Sequence, residues 1–274
     1  MTVGTPDIRF HVHRYGRRGA PRALLLHGFL GSGADWQSVA AHPDFDLDAL
    51  APDLPGHGLT EAPDGAEGHG MAAIARALID LLEREAFTPC GLIGYSMGGR
   101  LALYLALQYP EHFDWLVLES ASPGLDSEDA RAARRQHDAR WIERLQTQPL
   151  PEFLREWYAQ PIFASLREHP DFPHLLQRRL RNRAEGLIQS LRHMGTGVMP
   201  SLWPKLADLS VPTLLIAGER DPKFVMILFD MHSRCKNARF VVAKDTGHTI
   251  NFEHRDLFVK TIHEFIQNRR RGKT

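Results

Sequence analysis

The stretch CGLIGYSMGGRLALYLALQY, residues 90–109, decides the fold. Its first half is a short apolar run bounded by turn-forming residues, which reads as a buried strand ending near Tyr95. Its second half reads as a helix over 97–109. Between them sits Gly94-Tyr95-Ser96-Met97-Gly98, a G-x-S-x-G pentapeptide. A strand before and a helix after is the context that a nucleophile elbow requires. Such a turn is sharp, so the residues two before and two after the serine must be small. Gly94 and Gly98 meet that demand, and Gly99 lets the helix lie close. Ser96 is then expected to stand exposed at the carboxyl end of a sheet, above a helix N-terminus.

A serine elbow calls for an acid and then a histidine further along the chain. Asp221 lies just past the apolar run TLLIAG, and His248 lies just past RFVVA. Both fall at carboxyl strand ends, where the ligand-facing loops of an open α/β sheet gather. Each has a plainer reading. Asp221 with Pro222 beside it makes a good helix start, and His248 makes a turn histidine. Their order after Ser96 favours a Ser96–Asp221–His248 triad. An oxyanion hole needs two backbone donors. The N–H of Met97, after the serine, and the N–H of Phe29, in the loop LHGFLG after the run ALLL, are the candidates. The loop DLPGHG (53–58) reads as a tight structural turn whose glycines take positive φ.

Outward from this centre, short apolar runs recur at 23–28, 49–53, 91–96, 115–120, 213–219 and 239–245. Apolar on both faces, they fit a parallel sheet covered by helices on each side. IRFHVHRYG (8–16) alternates instead, which suits an antiparallel edge strand. Helical patterns fall at 71–86, 97–109 and 254–269. From 123 to 207 the pattern is helical and contains no convincing strand. DSEDARAARRQHDARWIERLQ begins with cap-type residues and continues as an amphipathic helix. PLPEFLREWYAQPIFASL follows, broken by Pro149, Pro151 and Pro161. The expected class is α/β: a mostly parallel central sheet flanked by helices, with 1–122 and 208–274 as the core and 123–207 as an inserted helical cap.

Composition narrows the function. The chain has 274 residues, 43% of them hydrophobic, enough for a sizeable core. Lys+Arg and Asp+Glu balance at 33 each, without the basic excess usual in nucleic-acid binding. No run approaches the roughly 20 apolar residues of a membrane span. The first 19 residues contain no apolar signal core, so the cytoplasm is expected. Two cysteines make neither a disulfide framework nor a metal motif. The 15 histidines are scattered. His11 and His13 share a strand face, but no carboxylate cluster accompanies them in the sequence, and they read as surface or turn histidines. Neither a phosphate-binding loop nor a dinucleotide fingerprint is present, so no metal and no cofactor is expected. A monomer or small homo-oligomer is expected, and RRRGKT (269–274) reads as a solvated tail.

Charge placement points to an anionic small-molecule substrate. Arg100 lies one helical turn after Ser96 on the same face, where a cation opposes the helix macrodipole. It calls for an anionic partner, either a substrate or an internal carboxylate. Residues 123–207 hold twelve Arg and one Lys against ten Asp or Glu. Within them Arg131, Arg134, Asp138 and Trp141 recur at three- and four-residue spacing. An Arg134–Asp138 pair on a solvated face, worth only tenths of a kcal/mol, is the plainer reading. Trp157 and Tyr158 beside Pro161 would ordinarily be core. Lys223, two residues after Asp221, sets a surplus cation at the edge of the expected site.

HGF, DLPGHG, GYSMGG, GERD and GHTINFE, in this order, resemble the α/β-hydrolase family over essentially the whole chain. Within that family, GYSMGGR (94–100), LESASPGL (118–125), ARRQHDARW (133–141), FLREWYAQPIFASL (153–166) and GERDPKF (218–224) are similar to the branch of 2-succinyl-6-hydroxy-2,4-cyclohexadiene-1-carboxylate synthases of menaquinone biosynthesis. The resemblance implies that Ser96, Asp221 and His248 form the triad. It implies that Tyr95, Arg100, Arg134, Trp157 and Lys223 line the substrate site, and that pyruvate is eliminated without a cofactor. The rivals are a hydrolase of the same fold acting on an acidic ester or a C–C bond, and a non-catalytic binding module.

Overall fold

The computed structural model describes residues 7–272. Its sheet has seven strands: β1 (Val12–Gly16), β2 (Arg22–Leu26), β3 (Asp48–Pro52), β4 (Cys90–Tyr95), β5 (Phe113–Glu119), β6 (Thr213–Gly218) and β7 (Ala238–Ala243), in the order β1-β3-β2-β4-β5-β6-β7. All neighbours are parallel except β1 and β3. Each apolar run of the sequence becomes a strand, and the alternating run 8–16 supplies the antiparallel edge.

Period-two alternation explains why these runs are apolar throughout. Leu24, Leu26, Leu92, Leu116, Leu118 and Leu215 face one core, while Ala23, Leu25, Ile93, Val117, Leu214 and Ile216 face the other. Both faces of the central strands are buried, so polar residues are confined to their ends. The helices α1 (Met71–Arg84) and α2 (Met97–Gln108) pack on the first face, and the C-terminal helix, Arg255–Arg270, packs on the second.

Between β5 and β6 the described chain is helical and contains no strand. Its longer helices are α3 (Glu128–Thr147), α4 (Leu150–Tyr158), α5 (Phe172–Arg179) and α6 (Ala184–Met194). They gather around a core of their own, including Trp141, Leu145, Phe153, Leu154, Tyr158, Leu175, Leu187 and Leu191. Ser127 caps α3, accepting the Ala130 N–H at 3.1 Å. The α3 helix is only weakly amphipathic: Asp138, Trp141 and Leu145 are its buried residues, and one of the three is a carboxylate. Pro151 does not break the chain as expected. It occupies the first turn of α4, where a missing N–H is harmless. After β6 comes α7 (Pro222–Arg234), and the C-terminal helix is α8. Arg269 and Arg270 belong to α8, so the tail is shorter than the sequence implied; Lys273 and Thr274 lie outside the described residues.

Candidate active site

Ser96 sits between β4 and α2 with φ 50° and ψ −107°. A serine rarely holds such a backbone, which persists only when its surroundings enforce it. The glycines show how it is enforced. A Cβ on Gly98 would lie 2.3 Å from the Leu26 carbonyl oxygen, and one on Gly94 would lie 2.6 Å from that of Gly98. A Cβ on Gly99 would come within 2.5 Å of Ala121. The strand–turn–helix therefore closes only with small residues at these positions.

Three separate strand ends converge here. His248, past β7, places Nδ1 2.7 Å from Asp221 Oδ2 and Nε2 3.1 Å from Ser96 Oγ. The carboxylate accepts from Nδ1–H, which leaves Nε2 free to accept the serine proton. Asp221 also performs its plainer role: it is the N-cap of α7, and its Oδ1 accepts the Phe224 N–H at 3.3 Å. One carboxylate thus fixes a helix start and an imidazole together. Glu253 braces the histidine loop by accepting the N–H groups of Gly247 and Thr249 at 2.7 and 3.1 Å.

Ser96 opens onto a cavity of about 570 Å³, within the ordinary range for small-molecule sites. Phe29, Met97, Arg100, Arg134, Trp157, Lys223, Asp221 and His248 all line it. The backbone N–H groups of Phe29 and Met97 take no hydrogen-bond partner among the described residues. Tyr95 does not line this cavity, contrary to expectation. Its side chain points behind the triad, where the hydroxyl meets Thr249 Oγ1 at 2.8 Å and the ring lies 5.5 Å from that of His248. Trp157 has both of its expected roles, since it lines the cavity and packs against Phe29 and Trp141, each at 4.9 Å.

The sequence reading missed several lining residues. Phe224 and Phe163 set their rings 4.6 and 6.1 Å from that of His248, walling it from solvent. Ser120 takes φ 48° and turns a buried hydroxyl without a hydrogen-bond partner toward the cavity wall. Arg220, also in the lining, pairs loosely with Glu168 and Asp245 at 3.7 Å. Only the motif blocks LESASPGL, FLREWYAQPIFASL and GERDPKF hinted at these positions.

The electrostatics separate the cations. Arg100 has no carboxylate within ion-pair distance among the described residues; it donates to the Met194 carbonyl at 3.1 Å. Burial, and then the neighbouring Arg134, push its pKa down to about 9. A guanidinium does not surrender its proton at neutral pH, so Arg100 remains a partly buried cation facing a cavity. Arg134 is different: its Nε donates to the buried Asp138 at 2.7 Å, the pair foreseen from the spacing. Lys223 is exposed at the rim and forms no ion pair among the described residues.

The Phe29 loop is held from below. His27 Nε2 accepts the Leu54 N–H at 2.8 Å, so its proton sits on Nδ1, 2.8 Å from the Gly28 carbonyl. Burial lowers the pKa of His27 and keeps it neutral. Asn182 donates to the Leu30 carbonyl at 2.8 Å. Asp35, on the same loop, accepts from Arg179 of α5 at 2.7 Å. Burial alone would raise the Asp35 pKa, but Arg179 and Arg178 outweigh it and hold the carboxyl below its usual range.

Known proteins share this fold. Residues 21–255 match the model of the α/β hydrolase fold. A Salmonella agona protein named 2-succinyl-6-hydroxy-2,4-cyclohexadiene-1-carboxylate synthase is 37% identical over 243 residues, 88% of this chain and 92% of that one. A Bacillus subtilis relative, 36% identical over 262 residues and covering 94% and 95% of the two chains, carries the same name provisionally. The structure of MenH from S. aureus superposes with a TM-score of 0.86 at 32% identity, covering 94% of this chain and 98% of that one. The chain therefore belongs to the α/β-hydrolase family, in the branch of relatives named as 2-succinyl-6-hydroxy-2,4-cyclohexadiene-1-carboxylate synthases.

Proposed function

We propose that this chain is a 2-succinyl-6-hydroxy-2,4-cyclohexadiene-1-carboxylate synthase, a carbon–oxygen lyase that eliminates pyruvate from an enolpyruvyl cyclohexene substrate in menaquinone biosynthesis. The observation that carries this reading is Arg100, a partly buried cation with no carboxylate within ion-pair distance among the described residues, on the cavity onto which Ser96 opens. A polycarboxylate substrate supplies the missing counter-charge. Arg100 and Arg134 can grip carboxylates in bidentate fashion, and Lys223 adds charge at the rim. Residues 123–207 act as the cap over the core, contributing Arg134 and Trp157.

His248 draws the proton from Ser96 Oγ, and the oxygen removes a ring proton next to the succinyl carbonyl. The electrons of that C–H bond move toward the carbonyl, whose growing negative charge meets the Phe29 and Met97 N–H groups. As they return, a ring double bond forms and the C–O bond to the enolpyruvyl group breaks. The departing enolate takes the proton that His248 drew from Ser96 and becomes pyruvate, which returns the triad to its starting state. Asp221 orients His248 and stabilises its charged form. Nothing in this sequence of steps requires a cofactor. We place the enzyme in the cytoplasm, as a monomer or small homo-oligomer.

A pyruvate-release assay on the enolpyruvyl substrate, run beside a panel of activated esters, tests the reading. Rapid pyruvate release with slow ester turnover is expected. Fast ester hydrolysis without pyruvate release would transfer the site to the hydrolase alternative.

A further inference from the structure

We infer that His11, His13 and Asp53 form a second site, separate from the Ser96 cavity, that binds one divalent transition-metal ion of the zinc type. In the sequence the two histidines have no carboxylate near them. The fold supplies one. The β1 and β3 strands run antiparallel with His13 opposite Ala51 and Val12 opposite Pro52, which sets His11 opposite Asp53. The Asp53 N–H donates to the His11 carbonyl at 2.8 Å, confirming that alignment. Residues directly opposite on an antiparallel pair share a face, and so do residues two apart on one strand. The backbone therefore points both imidazoles and the carboxylate to one place. One ligand atom from each lies within 4.8 Å of the others, and the two imidazole rings meet edge to face at 4.8 Å.

The chemistry of the donors is as informative as their placement. Asp53 is 2% exposed, yet its Oδ1 and Oδ2 accept only the neutral N–H groups of Gly33 and Leu59, at 2.7 and 2.9 Å. Among the described residues the only basic side chain within ion-pair distance is the His13 imidazole, with Nε2 at 3.4 Å. A buried carboxylate requires a cation. Neither histidine's ring nitrogens take a hydrogen bond among the described residues, so both remain available as ligands. Two imidazoles and a carboxylate are the donor set of zinc and its neighbours, with a fourth position left for water. Zinc ligands stand about 2 Å from the ion, so the imidazoles must swing slightly toward Asp53. Gly33 leaves room for the site: a Cβ there would lie 2.6 Å from His13 Cδ2. The ion would clip the sheet edge to the turn at Gly33, in the loop that also carries Phe29.

The test is a cobalt(II) titration of the chelator-treated full chain, followed by ligand-field absorption and by melting temperature. One ion should bind per chain, with visible bands of a four- or five-coordinate site and a rise of about 5 °C at a hundredfold excess over Kd. His11→Gln with His13→Gln should weaken binding by at least about 100-fold, beyond what loss of an outer partner does, while His248→Gln should leave it intact. The single His11→Gln variant answers the same question should the double variant fold poorly. A wild-type protein that binds no cobalt overturns the site. So does binding that survives both substitutions, or binding lost in His248→Gln, which would put the ion on the triad.

Discussion

The turn around Ser96 and the helix that carries Arg134 line the same cavity but are specified in different ways. The turn is dictated by backbone sterics. Gly94, Gly98 and Gly99 each face atoms that a Cβ would strike, and Ser96 is held at a φ that only enforced closure maintains. The α3 helix is dictated by very little: three buried residues in five turns, one of them Asp138, which pairs with Arg134. Chemistry that requires fixed atoms sits on the rigid sheet, whereas recognition sits on a helix whose face other side chains could occupy. This division predicts that damage to the turn abolishes activity whatever the substrate, whereas damage to the helix is selective.

The largest effect is expected at the triad. Ser96→Ala, His248→Ala and Asp221→Ala should each lower kcat by about 10³ or more, with melting temperatures near that of the wild type, and the double variants should be little worse than the singles. Near-normal turnover by Ser96→Ala would break the comparison on its rigid side. Next comes Gly98→Ala. Its methyl group meets backbone rather than a movable side chain, so overpacking should cost about 1–3 kcal/mol in a denaturant titration. Unchanged stability would show that the turn yields more than its geometry implies.

Two arginines sharpen the other side. Arg100→Gln should weaken catalysis on the acidic substrate by about 1.5–3 kcal/mol, read from kcat/KM, and barely touch a neutral ester. Because it removes a partly buried cation that has no ion-pair partner among the described residues, the melting temperature should hold or rise. Arg134→Gln should give a similar kinetic loss but a lower melting temperature, since it strands Asp138. Equal kinetic losses on both substrates would make these arginines structural.

Much of this was legible in the sequence. Strands buried on both faces have to be apolar throughout, so each run announced itself, and the elbow glycines marked Ser96. The direction of Tyr95 was not legible, because a side chain beside a sharp turn is aimed by a φ/ψ pair that no periodicity encodes. Neither was the meeting of Asp53 with His11 and His13, which depends on strand register across an antiparallel pair. Phe163 and Phe224 were visible only inside motif blocks, without a role; the fold brings them to His248. Arg134 and Asp138 were visible as a pair, but the burial of Asp138, which gives the pair its weight, was not.

The smallest effect is a pH dependence beneath the site. Glu119, at the end of β5, is fully buried, with Oε1 accepting the Asn251 N–H at 2.9 Å and Oε2 without a partner. Burial raises its pKa well above the usual carboxylate range, only partly offset by the Asn251 and Ile250 N–H groups. The folded state therefore holds a proton that the unfolded chain releases near pH 4.3. Stability from this group is present below that pH and is lost as pH rises toward the folded pKa. Glu119→Gln, which keeps the acceptor without the charge, should melt like the wild type near pH 4 and higher than it at pH 8. Parallel melting curves across that range would refute the assignment.

The most direct measurement concerns what Ser96 does to the substrate. If it acts as a base in an elimination, the succinyl carbonyl never bonds to the serine, and no covalent intermediate exists to trap. Rapid-quench mass spectrometry during turnover of the enolpyruvyl substrate should find Ser96 unmodified while pyruvate accumulates. A stoichiometric burst with a substrate-derived adduct on Ser96 would contradict this account and make the site that of an acyl-transfer hydrolase.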